Sequence, residues 1–394
     1  MKIGILTFHC AHNYGAVLQA YGLQEYLRSQ GHETYIIDYR PGYLTRNYKA
    51  FNIRFWMAST PREIVYKLRY EPFLWKHRIL RGKAFDRFIR NRFDLHPYVR
   101  HTNFSDFDAI FLGSDQIWNK TITGQRYDEV FFGGNATCRV IAYAASMGRG
   151  TLSDKDRERL RQYLAPMTAI GVREESLKEL LQPLSAKPVY TTIDPTLLAG
   201  TEMFEKIASP PASDRKYVLV YDLSPYKREV LEIARNVAEK IGARIVELDA
   251  YPLTGFSMRY KDQTASPEQY LGYFRHAAFV VTTSFHGTAF SLLFNRPFYT
   301  IKQDNPADLR ALSLLEKVGL TDRFIPLGTV PGCNPVRYEK VEQHLASEVE
   351  KSRAFIDDAF VADSLKLIFH AYPTNSISTA PIRRHSNRWV QGRL

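Results

Sequence analysis

Lys2-Ile-Gly-Ile-Leu-Thr-Phe8 is an apolar strand that runs into a polar loop, His9 to Gly15, and then into a helical run over 16–29. Val17, Leu18, Tyr21, Leu23 and Leu27 recur there at helical spacing, Gly31 closes the helix, and 34–39 supplies a second strand. Strand, helix and strand in this order form one unit of a doubly wound sheet. Short apolar runs at 107–112, 140–144, 169–172 and 189–193 continue the pattern. Ala208-Ser-Pro-Pro-Ala-Ser213 reads as a linker, and a second alternating series opens at Tyr217-Val-Leu-Val-Tyr221. A helix over 227–241 and strands at 244–248, 278–283 and 297–301 follow, then a long helix over 348–372. The reading is an α/β protein of two doubly wound, parallel-sheet domains facing a cleft, 1–207 and 208–372, with a loose basic tail at 373–394. The terminal helix is expected to cross back onto the first domain, because the second sheet already has its own helices.

Composition bounds the rest. The chain has 394 residues, 45% of them hydrophobic, which is enough for two ordinary cores. Cys10, Cys138 and Cys333 are too few and too scattered for a disulfide framework or a paired-ligand zinc site. No apolar run reaches the length of a membrane span, and the opening strand lacks a cleavage signal, so the expected location is the cytoplasm. The net charge of +12 is uneven: residues 40–100 hold fifteen Lys or Arg against Glu63, Glu71, Asp86 and Asp94. Phe51, Phe55, Trp56, Phe73, Trp75, Phe85 and Phe88 are interleaved with them. Such a segment suits an anionic membrane surface or a diphosphate-bearing substrate. A solvated amphipathic helix with its aromatics turned inward explains it equally well.

In open parallel sheets, ligands bind beyond the carboxyl ends of the strands, so polar residues directly after strands are the candidates. Val280-Val-Thr-Thr-Ser-Phe-His-Gly-Thr-Ala-Phe290 places Ser284 and His286 where a helix N-terminus favours an anion and a histidine can exchange a proton. Ala169-Ile-Gly-Val-Arg-Glu-Glu-Ser176 puts Arg173 at a helix start, where a bound carboxylate or phosphate would relieve its conflict with the dipole. A salt bridge to Glu174 or Glu175 is the structural alternative. Phe111-Leu-Gly-Ser-Asp-Gln-Ile-Trp118 offers Asp115 as a base or sugar anchor beside Trp118 as an aromatic platform; Asp115 could equally cap a helix. Asn13 and Gly15 open the first helix, where a capping turn is the favoured reading. Asp194-Pro195 ends a strand and reads as a turn.

No Gly-x-Gly-x-x-Gly follows the first strand, no Walker loop is present, and no His or carboxylate group has metal-site spacing. Neither a dinucleotide nor a metal is expected as cofactor.

Five motifs in order now stand out: Asn13-Tyr-Gly-Ala-Val-Leu-Gln-Ala20, Leu112-Gly-Ser-Asp-Gln-Ile-Trp118, Val172-Arg-Glu-Glu175, Ile193-Asp-Pro195 and Ser284-Phe-His-Gly287. With them the chain resembles the polysaccharide pyruvyl transferase family from its first strand to about Arg323. The resemblance implies two Rossmann-like domains in the GT-B glycosyltransferase arrangement. It implies phosphoenolpyruvate as donor, and as acceptor a sugar of a surface or capsular polysaccharide or its lipid-linked precursor. The product implied is a pyruvate ketal across two hydroxyls of one hexose, galactose-like, on an undecaprenyl-diphosphate-linked oligosaccharide at the inner face of the membrane. Arg173 and His286 match the family's donor-site residues. Many relatives carry Arg-Leu before this histidine, where Ser284-Phe285 stand here, so Lys302 or Arg310 is expected to supply the missing cation. The roles expected are Arg173 and Lys302 on the donor, His286 as acid toward phosphate, and Asp115 as base or acceptor anchor.

Two rivals remain. A nucleotide-sugar glycosyltransferase of the same architecture would carry an acid after the second-domain loop to hold ribose, and residues 288–295 contain none. A nucleic-acid binder would use the basic segment but leave the strand-end residues without a purpose, so no nucleic acid is expected as partner.

Overall fold

The computed structural model describes residues 1–46, 61–148, 152–211, 215–248, 261–305 and 308–361. The expected basic tail and part of the basic segment, with Phe51, Phe55 and Trp56, lie outside the described residues, as do the side chains of 61–74.

The first sheet has seven strands: β1 (Lys2–Leu6), β2 (Glu33–Asp38), β3 (Leu95–Pro97), β4 (Ala109–Leu112), β5 (Arg139–Ala145), β6 (Ala169–Val172) and β7 (Val189–Thr191). Their spatial order is β3-β2-β1-β4-β5-β6-β7, all parallel. The second has six: β8 (Tyr217–Tyr221), β9 (Arg244–Leu248), β10 (Lys261–Asp262), β11 (Phe279–Thr282), β12 (Phe298–Ile301) and β13 (Phe324–Ile325). Its order, β10-β9-β8-β11-β12-β13, repeats the pattern of the first. Each order reverses once, between β1 and β4 and between β8 and β11, and at such a switch point the loops part to leave a crevice. The doubly wound α/β reading of the sequence is therefore correct, and the switch points place the loops after β1, β4, β8 and β11.

The helices follow from local signals. α1 (Tyr14–Ser29) starts two residues before the apolar run because Asn13 Oδ1 accepts the Ala16 N–H, and so caps it. α2 (Gly42–Thr45) and α3 (Pro61–Arg92) follow β2; Phe85, Phe88 and Ile89 of α3 are buried while Trp75 is half exposed. The described part of the basic segment thus turns Phe85 and Phe88 inward, as an amphipathic helix would. α4 (Asp154–Leu164) opens on a capping box from Ser153 to Asp156. α5 (Glu175–Leu181), α6 (Pro195–Leu198) and α7 (Thr201–Glu205) complete the first half. α8 (Lys227–Ile241) buries Val230, Ile233, Ala234, Val237 and Ala238 on one face and stops at Gly242, whose φ of 62° is the left-handed cap that glycine adopts freely. α9 (Pro267–His276), α10 (Phe285–Leu293) and α11 (Asp308–Lys317) wrap the second sheet.

The last helix, α12 (Tyr338–Val361), starts ten residues before the sequence-based boundary of 348, and residues beyond 361 lie outside those described. Its first turns meet the second domain, where the Tyr338 hydroxyl donates to the Arg296 carbonyl and Glu348 pairs with Lys317, and its last turns lie against the first domain. Phe355 packs beside Tyr143 and Tyr190 and over Gly171, where a Cβ would stand 2.9 Å from its ring. Ser352 Oγ accepts the Ile193 N–H at 2.9 Å, and Phe360 meets Phe111 and His32.

One apolar core runs through both halves. Tyr14 stacks on Tyr270 of the second domain at 4.4 Å and donates its hydroxyl to the Ala265 carbonyl. Phe204 meets Phe290 at 5.4 Å. Burying one such aromatic ring is worth about 2–3 kcal/mol, so the domains are fixed to each other at this seam. Among the described residues no helix is long and apolar enough to cross a membrane.

Candidate active site

The site forms where strand ends of the first sheet meet the start of α10. Arg173, directly after β6, is 4% exposed, and its Nη1 donates to Asp194 Oδ2 at 2.8 Å while Nε reaches Glu174 Oε1 at 3.3 Å. Its guanidinium also lies 4.4 Å above the Phe285 ring. Burial works against this charge, but Glu174, Asp194 and Asp115 together hold it above the ordinary arginine value.

Asp194 is the hub. It is 1% exposed and accepts from Ser114 Oγ, Arg173 Nη1, the Thr196 N–H and Thr196 Oγ1 at 2.8–3.0 Å. Burial alone would raise its pKa, yet His286, Arg173 and the Thr196 N–H hold it below the ordinary value, so it is ionised. The sequence reading took Asp194-Pro195 for a turn. Asp194 does cap α6, but its second oxygen ties Ser114 of one strand end to Arg173 of another. The signal that could have found it is the one used for the other candidates, a polar residue just beyond a strand. Glu174 was read only as the salt-bridge alternative; it also accepts from Ser146 Oγ at 2.7 Å and so fixes the loop after β5.

His286 enters from the second domain as the second residue of α10 and is 7% exposed. Its Nε2 stands 3.8 Å from Asp194 Oδ2, too far for a hydrogen bond, and is buried with no partner. Gly15 makes this approach possible: a Cβ there would lie 2.0 Å from His286 Nδ1. Burial pushes the imidazole down to about 4, with Asp194 and Asp115 pulling upward and Arg173 and Arg310 adding to the depression. His286 is therefore neutral at pH 7. An unfolded histidine titrates near 6.5, so between about 6.5 and about 4 the unfolded chain binds a proton that the folded one refuses. The stabilisation from neutral His286 is complete above 6.5 and is lost as pH falls through that window. The parent should lose melting temperature on acidification from about 6.5 to 4 more steeply than His286→Asn; equal slopes would contradict the burial account.

Asp115 follows β4 with a φ of 82°, a left-handed conformation that aspartate tolerates better than most residues. Its carbonyl accepts the Ser146 N–H and its Oδ1 accepts the Gln116 N–H at 2.8 Å. No helix starts there, so the capping alternative fails. Its carboxylate acts electrostatically on Arg173, His286 and Arg310, which places it in the same group.

The remaining candidates divide. Arg310, on α11, comes to the group: its charge is felt by His286, and its buried Nε has no hydrogen-bond partner. Lys302 does not; it is half exposed, with its ammonium 2.7 Å from Asp304. The expectation of Lys302 on the donor is corrected on that ground, because the side chain leaves β12 towards solvent. Trp118 is also corrected. It is fully buried, donates its indole N–H to the Phe131 carbonyl and stacks on Phe132 at 5.1 Å, so it is core and cannot serve as a sugar platform. Asn13 caps α1, as the capping reading held, and Ser284 precedes α10 without a side-chain cap bond. His9, in the same loop, is fully buried between Asp38 Oδ1 and the Thr7 carbonyl. Among the described residues no three His, Cys, Asp or Glu side chains stand together as a metal site requires.

Two cations and a neutral histidine at the start of α10 thus gather in one region, an arrangement suited to holding an anion. The profile of the family described as polysaccharide pyruvyl transferase matches residues 13–305, and the chain belongs to that family. Comparison with curated protein sequences finds no match. Among solved structures, a putative UDP-N-acetylglucosamine 2-epimerase from Listeria monocytogenes aligns over 94% of this chain and 97% of its own, with 9% identity and a TM-score of 0.46. The S. aureus MnaA–UDP co-structure aligns over 97% and 99%, with 11% identity and a TM-score of 0.44. Neither likeness bears on the substrate of this chain.

Proposed function

We propose that the protein moves the pyruvyl group of phosphoenolpyruvate onto two hydroxyls of a hexose, as a ketal, with release of phosphate. The observation that carries this reading is a trio of buried nitrogens without hydrogen-bond partners: Arg173 Nη2, His286 Nε2 and Arg310 Nε. Leaving a buried donor unpaired costs about 1–3 kcal/mol, so the two guanidinium nitrogens, with the imidazole beside them, favour an anionic ligand. A small trianion with a carboxylate and a phosphate has the acceptors to satisfy them.

The chemistry balances with these groups. One sugar oxygen bonds to the enol carbon as a proton adds to the methylene, which becomes the methyl. The second oxygen bonds to the same carbon as the carbon–oxygen bond to phosphate breaks. The two hydroxyl hydrogens are accounted for by the new methyl group and by the departing phosphate. His286, neutral when the site is empty, gains a reason to take up a proton once the donor's charges arrive, and delivers it to the phosphate. Asp115 receives a hydroxyl proton or anchors the acceptor. Arg173, held by Asp194 and Glu174, meets the donor through Nη2 and stabilises charge on the carboxylate.

For the acceptor we propose a galactose-like sugar of a surface or capsular polysaccharide on an undecaprenyl-diphosphate carrier, a finer reading than the family's polysaccharide description. The surplus of Lys and Arg over residues 40–100 suits its diphosphate or an anionic membrane face.

Incubation with galactose-type acceptors and phosphoenolpyruvate carrying ¹⁸O in the bridging position tests the reaction. One phosphate should appear per ketal, and the label should leave with it. Label retained on the pyruvyl group, or a requirement for a nucleotide sugar, would overturn the reading.

A further inference from the structure

Arg310 is only partly balanced by the protein around it. It is partly buried, and among the described residues no carboxylate pairs with it. The three nearby carboxylates are engaged elsewhere: Asp194 with Arg173 and Ser114, Glu174 with Ser146 and Arg173, and Asp115 with the Gln116 N–H. Burial and the like charge of Arg173 both push the Arg310 pKa below the ordinary arginine value. As the third residue of α11 it also stands near the positive end of a helix dipole. Glu174, Asp115 and Asp194 pull the other way without reversing the shift, so the empty protein still disfavours a cation there.

The two arginines differ in what they have left to offer. Arg173 has spent Nη1 and Nε on carboxylates and keeps Nη2 alone. Arg310 keeps its buried Nε and the adjoining edge of the guanidinium, the geometry that grips a tetrahedral or planar anion through two parallel bonds. Charge matching then sorts the ligand. The largely neutralised Arg173 suits the singly charged carboxylate, and Arg310, which no carboxylate pairs directly, suits the group that carries more charge and gains more as its ester bond breaks.

We propose that Arg310 is the phosphoryl-holding residue of this site, taking the phosphate of the donor through its free edge, and that it destabilises the empty protein. The inference rests on the donor reading given above and adds the residue that sets selectivity for a phosphorylated ligand. It also explains how the site gathers two cations although residue 284, just before His286, is a serine.

The test uses the full chain with Arg310→Gln and Arg310→Lys, titrated separately with phosphoenolpyruvate, inorganic phosphate and pyruvate, with melting temperature read in each case. The parent should bind phosphoenolpyruvate and phosphate. Arg310→Gln should melt no lower than the parent without ligand, and should bind both about 10- to 150-fold more weakly, the range for one lost bond to a charged group. Its affinity for pyruvate should stay within about threefold, well below that range, and Arg310→Lys should recover part of the loss. Unchanged phosphate affinity in Arg310→Gln, or a ligand-free melting temperature several degrees below the parent, would overturn the proposal and make Arg310 structural. A parent that binds phosphate through Arg310 but ignores phosphoenolpyruvate would sink the donor reading and leave the anion role standing. Binding of neither ligand by the parent would sink both.

Discussion

His286→Ala is expected to lower turnover by roughly 100- to 10,000-fold, the usual cost of losing a positioned acid or base, while the protein stays folded. The ring is 7% exposed, yet its Nε2 bonds to nothing and its other nitrogen faces the Gly15 backbone, so removing it breaks no hydrogen bond in the empty protein. It does remove a neutral group that can take up a proton beside the donor's phosphate. Donor affinity should fall much less than turnover, because Arg173 and Arg310 remain. Turnover and melting temperature measured together decide the matter. A drop of less than tenfold, below the range for such a group, would move His286 to a structural role. A collapse in melting temperature would show that lost activity was lost folding.

Asp194→Ala carries the largest expected effect on stability. The carboxylate is buried and accepts four hydrogen bonds, one of them from a guanidinium that is itself buried. Removing one partner of such a pair leaves the other charge stranded, at a cost of about 3–5 kcal/mol. The denaturant midpoint should fall accordingly, and donor binding should weaken because Arg173 loses its anchor. Asp194→Asn keeps the bonds from Thr196 and should lie between the two. If Asp194→Ala unfolded within about 1 kcal/mol of the parent, less than the range for a broken buried pair, then Glu174 alone holds Arg173 and the hub assignment is wrong.

Much of this architecture was legible in the sequence, for reasons that can be named. The helical periodicity over 16–29 and 227–241 is unbroken, and β1 and β8 are buried along nearly their whole length and read as apolar runs. Strand ends then locate Asp115, Arg173 and His286 by position alone. What failed was whatever depends on direction or on distant partners. Trp118 beside a carboxylate looks like a sugar platform, but only the fold shows Phe132 and the Phe131 carbonyl waiting for it. Lys302 follows β12 directly and so satisfied the positional rule, while Arg310, eight residues on, reaches the site from a helix. Asp194 ends an apolar run, but the proline after it reads as a turn, and the ties of its second oxygen to Ser114 and Arg173 leave no local pattern. β10 and β13, two residues each, are too short to leave a pattern.

The central claim, that the unpartnered nitrogens of Arg173, His286 and Arg310 exist to hold an enol phosphate, is tested most directly by thermal titration of the unmodified protein. Phosphoenolpyruvate and UDP-sugars are compared at matched concentrations. Occupation at a hundred times the dissociation constant stabilises by about 2.7 kcal/mol, which a melting curve resolves readily. The account predicts a saturable rise in melting temperature with phosphoenolpyruvate and none with a UDP-sugar. A rise with the UDP-sugar alone would contradict it and favour a nucleotide-sugar enzyme.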